Sequence, residues 1–118
     1  MRTFIMGIIV FSFLLSSQQS MAGFSGMDLK KKADALERVT TGKFTDSDAG
    51  DANFFIGYVY GVAQAYNGSL ICIPEATQAG HVVSIVTKFL KDNPGKWNKA
   101  ANYIVLEALS PTFQCNKK

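Results

Sequence analysis

Residues 52–66 read Ala-Asn-Phe-Phe-Ile-Gly-Tyr-Val-Tyr-Gly-Val-Ala-Gln-Ala-Tyr, a stretch that is apolar on almost every side of a helix. A helix of that kind has to be enclosed, by protein or by lipid. About fifteen residues fall short of the roughly 20 that a membrane span needs, and Asn53, Gln64 and three tyrosine hydroxyls want polar partners. Protein is therefore the expected enclosure, with the rest of the chain packed round this helix. Gly57, Gly61 and Ala65 recur every four residues and leave one stripe without bulk. That stripe predicts close approach of a neighbouring backbone inside a small core.

The chain of 118 residues opens with Met1 and Arg2, an apolar run from Phe4 to Leu15, and a polar segment ending Ser20-Met21-Ala22. A charged start, a short apolar core and a small-x-small end are the marks of a cleavable signal peptide over residues 1–22. An uncleaved anchor would want a longer apolar run. Cleavage is expected to leave one exported domain, residues 23–118, with no membrane attachment once the signal is removed. Its net charge of +3, or +2 once Arg2 is removed, is too small an excess to point to nucleic acid.

Cys72 and Cys115 are the chain's two cysteines. An even pair in a small exported protein is most simply a disulfide. Closing a loop of that length removes unfolded-state entropy worth about 4 kcal/mol. The rival reading, a nucleophilic cysteine, would have to use His81, the one histidine, as its base.

Periodicity predicts three further helices. Gly23 to Met27 is expected to be a loose N-terminus, after which Asp28 can cap a first helix running to about Val39, with Leu29, Ala33, Leu36 and Val39 on its apolar face. Lys30, Lys31 and Lys32 sit in its first turn as a solvated face, or as a contact for an acidic surface or anionic lipid. Gly42 suits a left-handed C-cap, and Asp46, Asp48 and Asp51 place negative charge near the start of the central helix. Helix capping accounts for those aspartates better than calcium, because an EF-hand needs Gly and Glu where Asp51 and Gly57 stand. Asn67-Gly68-Ser69 closes the central helix, and Leu70 to Ile73 is a short apolar segment carrying the first cysteine.

Pro74 is placed to open a third helix to about Asp92, burying Ala79, Val82, Val83, Val86, Phe89 and Leu90. His81, Ser84, Lys88 and Lys91 line its outer side. Asn93-Pro94-Gly95 forces a break. A fourth helix from about Lys96 to Leu109 would bury Trp97, Ala101, Ile104, Val105 and Ala108, leaving Tyr103 and Leu106 outside as a possible contact between two copies. The expected fold is all-α: a small bundle of about four helices round the central apolar one, with one disulfide.

Reactive chemistry is missing from the pattern. The sequence has no G-x-S-x-G elbow, phosphate loop, His/Cys metal cluster or haem-attachment motif, so neither metal nor cofactor is implied and an enzyme is disfavoured. The expected role is to bind something.

Cys72-x-Pro74, Gln78, Val82-Val83, Phe89-Leu90, Asn93-Pro94, Ala100-Ala101, Val105, Ala108-Leu109 and Phe113-x-Cys115, preceded by Phe55-x-Gly57-Tyr58-x-x-Gly61, resemble the Rap/Tai family of amidase immunity proteins. The resemblance implies a periplasmic protein, often a homodimer, that neutralises a peptidoglycan amidase delivered by a type VI secretion system during interbacterial competition. Such effectors are similar to papain-like Cys/His peptidases, and the inhibitor would cover the substrate cleft. The expected contacts are the connection through Asn93, Pro94, Gly95, Lys96 and Asn98, with His81, Ser84, Lys88 and Lys91 beside it. The alternative is a periplasmic acid-stress chaperone of the HdeA kind, which is also small, helical and held by one disulfide.

Overall fold

The protein is described here from a computed structural model covering residues 23–116; the expected signal peptide, residues 1–22, lies outside the described residues, as do Lys117 and Lys118. Four α-helices and no strands are found among the described residues: α1 (Gly26–Thr40), α2 (Asp46–Tyr66), α3 (Ala79–Asp92) and α4 (Ala101–Leu109), with a 3-10 turn at Pro94–Lys96. The all-α expectation holds, and so does the disulfide, Cys72 to Cys115, whose Cα atoms are 4.9 Å apart.

Both long helices start from a capping box. Ser25 is the N-cap of α1, its hydroxyl accepting the Asp28 N–H while the Asp28 carboxylate accepts the Ser25 N–H. The helix therefore begins ahead of Asp28, which closes the box from the third position of the helix. Thr45 and Asp48 repeat the arrangement at α2. Gly42 takes φ +78° and Gly68 φ +90°, the left-handed conformation that ends α1 and turns the chain after α2. Arg38 grips Asp48 with two hydrogen bonds, 2.8 and 3.1 Å, and Lys32 reaches Asp51 at 2.9 Å, so charge fastens α1 to the first turns of α2.

Ala52, Phe55, Val59 and Ala63 form the buried face of α2, and Leu29, Ile71, Val86, Leu90, Ile104, Val105 and Leu109 close over it. The opposite side is open, against the expectation of complete enclosure. Phe54 and Tyr60 keep 48% and 43% of their surface in solvent, and a Cβ built on Gly57 or Gly61 would meet nothing beyond its own helix within 4 Å. Among the described residues, no backbone closes on the small-residue stripe. Instead, α1, α3 and α4 pack on one side of this 21-residue helix.

Both later helices begin further along than their apolar patterns predict. Pro74 opens a single turn, closed by the Thr77 N–H to the Pro74 carbonyl at 3.0 Å, after which Gln78 is extended and α3 starts at Ala79. Glu75 and Ala76 are exposed, so nothing packs there to reward more helix. In α4 the difference comes from competing hydrogen bonds. The Trp97 and Lys99 carbonyls accept from Met27 and Gly26 at 2.8 Å each, and Ala100 is extended in an antiparallel bridge with Ser25. Those carbonyls are spent on the N-terminal segment instead of a helical ladder. The same bonds overturn the expectation of a loose N-terminus. Phe24 is half-buried, its ring 5.0 Å from Tyr58 and 5.5 Å from Phe54.

Hydrogen bonds from Arg38, then from the Thr45 N–H, pull the Asp48 carboxyl from its ordinary 3.8 to about 2. A folded-state pKa below the unfolded one gives stability that is complete above about pH 4 and is lost as pH falls toward 2. The thermal midpoint should fall across that window. Asp48→Asn should lower the midpoint at pH 7 and flatten the acid limb; a limb that stays parallel to wild type would assign the acid sensitivity to other carboxylates, Asp28 first.

Candidate functional site

Neither cysteine is a free thiol, and the described residues contain no group of metal-ligating side chains. His81 is exposed, its ring 6.2 Å from Phe113 in an edge-on contact. What this surface offers is shape and charge.

The outer face of α3 is open as expected. Ser84 donates to the carbonyl of His81 at 2.8 Å, and Lys88 pairs with Asp92 at 2.8 Å, which raises the lysine pKa. Lys91 reaches Glu37 on α1 at 3.2 Å. Between α1 and α3 runs a groove of about 520 Å³, walled by Ala33, Leu36, Thr40, Val83 and Thr87, with Ile56 contributed from α2. Ser84 and Lys91 stand on this groove, whereas His81 and Lys88 do not line it. The groove was not legible in the sequence. Leu36 and Ile56 look like ordinary stripe residues until the helix pairing is known.

The connection after α3 is held from within. Asn93 donates its side-chain amide to the Phe89 carbonyl at 2.9 Å, and the Trp97 indole N–H donates to the Leu90 carbonyl at 2.8 Å. Trp97 is half-buried against the core and lies under the Lys30 ammonium, 5.2 Å from its ring centre. Pro94, Gly95 and Asn98 are exposed. Lys96, expected to offer its charge to a partner, spends it on Glu107 of α4 and lies over the Phe89 ring at 5.2 Å. The second Glu107 oxygen, Oε2, is buried without a hydrogen-bond partner. Tyr103 is 51% exposed with the Lys99 ammonium 4.9 Å from its ring, whereas Leu106 is half-buried and packs on the core.

Among the described residues the surface presents a stiffened turn, a groove between α1 and α3 and an open apolar helix face on one small helical frame. The family model of the Rap1a immunity proteins matches residues 25–115, and the chain belongs to that family. The match runs from the N-cap of α1 to the second cysteine, so it takes in all four helices and the disulfide. No curated protein and no solved structure matches the chain.

Lys96→Glu would set a second carboxylate against Glu107, whose Oε2 already lacks a partner. The change should destabilise the fold by about 1–3 kcal/mol, read as a lower urea midpoint, and Glu107→Lys in the same chain should recover most of the loss. Additive losses in the double variant would show that the pair does not couple.

Proposed function

We propose that this protein is a periplasmic immunity protein that binds a peptidoglycan amidase delivered by a type VI secretion system and covers its active-site cleft. Membership of the Rap1a immunity family over residues 25–115 is the observation that carries this reading. The effector is taken to be a papain-like Cys/His peptidase that cuts the peptide stems of the cell wall. An inhibitor of such an enzyme needs only to fill the space in front of the thiol, which a preformed turn does at low entropic cost. In this reading the exposed side of the connection, at Pro94, Gly95 and Asn98, enters the cleft. His81, Ser84, Lys88 and Lys91 then meet its rim, where charge mainly sets the rate of encounter.

Inhibition of stem hydrolysis by the amidase encoded beside this gene, titrated with the oxidised protein, should reach a stoichiometric end-point. An active amidase left untouched by a large molar excess would remove the reading and bring the acid-stress chaperone forward.

A homodimer belongs to the same proposal. Tyr103 offers one exposed surface on α4, but the open face of α2 is larger, and the dimer contact is assigned to α2. Residues 52–74 carry no charged side chain, and Lys32, whose ammonium lies 4.7 Å from the Phe54 ring centre at the edge of this face, is paired with Asp51, so little net charge opposes the meeting of two copies. Sedimentation velocity should give a dimer that Tyr60→Lys converts to monomer and Tyr103→Lys leaves intact. The reverse pattern would move the contact to α4.

A further inference from the structure

The first two N–H groups of α1 are donors that a helix cannot satisfy internally. Here they are taken by the connection between α3 and α4. Gly26 donates to the Lys99 carbonyl and Met27 to the Trp97 carbonyl, both at 2.8 Å, and the Ala101 N–H returns a bond to the Phe24 carbonyl at 3.0 Å. The connection in effect caps α1, with its carbonyl oxygens lying where the helix dipole favours negative charge.

Gly26 makes this approach possible. A Cβ on Gly26 would lie 2.2 Å from Ile104 Cδ1, 2.8 Å from the Trp97 oxygen and 2.9 Å from Trp97 Cα. Two of those three atoms are backbone and cannot swing aside. Every other glycine among the described residues has nothing within 4 Å of its Cβ position, and Gly26 has no left-handed φ that would demand glycine for another reason. Closeness to Trp97 is what excludes a side chain here. The face of the connection turned to α1 is fixed by these bonds, while Pro94, Gly95 and Asn98 remain exposed.

We propose that residues 24–27 form a clamp that sets the shape of the partner-binding connection, with Gly26 as a positioning residue that touches no partner itself. The proposal rests on the reading of that connection as the part that enters the amidase cleft. Releasing the clamp moves its cost into binding, since a turn that is loose in the free protein must be ordered on contact.

The test is Gly26→Ala in the oxidised protein, read by amide hydrogen exchange and by inhibition of the amidase. Exchange at residue 26, Met27 and Ala101 should rise on the order of tenfold, core amides such as Val59 and Val86 should hold, and the inhibition constant should weaken on the order of tenfold. Adding Ile104→Val removes the Cδ1 contact and leaves the two contacts with the Trp97 backbone. Stability should then recover in part while inhibition stays weak; inhibition recovering together with stability would reduce Gly26 to ordinary core packing and overturn the clamp. Should Gly26→Ala fail to fold, a chain beginning at Ser25 lacks the Phe24 carbonyl without adding a clash, and it too should inhibit less well. Full inhibition by either folded variant despite faster exchange at these amides would overturn the proposal. A wild-type protein that does not inhibit at all is a separate result, which fells the functional reading and the clamp's role with it.

Discussion

One face of α2 holds the molecule together. Ala52, Phe55, Val59 and Ala63 sit three or four residues apart, and α1, α3 and α4 each lay an apolar stripe on them. Burying a side chain such as Phe55 or Val59 completely contributes about 1.5–3 kcal/mol, so a handful of these positions is comparable with the net stability of a small domain. No polar or charged residue among those described is buried. Polar chemistry works at the ends instead: two capping boxes decide where α1 and α2 begin, and the disulfide joins the segments just beyond α2 and α4. Apolar faces choose which helices meet, and polar groups choose their limits.

A core organised this way has a consequence for surface. The chain that would be needed to cover the far side of α2 is absent from the described fold, and Phe54 and Tyr60 are left partly in solvent near the bare Gly57 and Gly61. Single exposed apolar residues are ordinary. An uncharged run on one face of a 21-residue helix is less so, and it is the surface to which the proposed dimer is assigned.

Periodicity made the buried sides of α3 and α4 legible: Val82, Val83, Val86 and Leu90, then Ala101, Ile104, Val105 and Ala108, are buried as their spacing requires. Cysteine count made the disulfide legible, and the family resemblance agrees with the match over residues 25–115. What escaped depends on partners distant in sequence. A pattern apolar on every side does not reveal which side its neighbours leave open. The start of α4 is decided by Gly26 and Met27, some seventy residues earlier, because their N–H groups claim carbonyls that a fourth helix would otherwise have used. Lys96 looks free in the sequence and is paired with Glu107 because the 3-10 turn sets it beside α4. Each of these is a contest for a hydrogen bond, an ion pair or a covering surface, and local spacing carries no information about the competitor.

Under the function proposed above, the construction of the connection also bears on how binding alone would disable an enzyme. An occluding element must stay in place while substrate competes for the same cleft, so its persistence depends on slow departure more than on fast arrival. A turn that gained its shape only on contact would give up part of its binding free energy to its own ordering. In this protein the inner side of the turn is satisfied before any partner arrives, by Leu90 under the Trp97 indole, by Phe89 under Asn93, by Glu107 beside Lys96 and by the N-terminal segment along Trp97 and Lys99. The exposed residues Pro94, Gly95 and Asn98 carry none of that internal bonding through their side chains. Shape can therefore be held by one set of residues and specificity varied by another, an arrangement suited to an inhibitor that must match one partner without unfolding itself to do so.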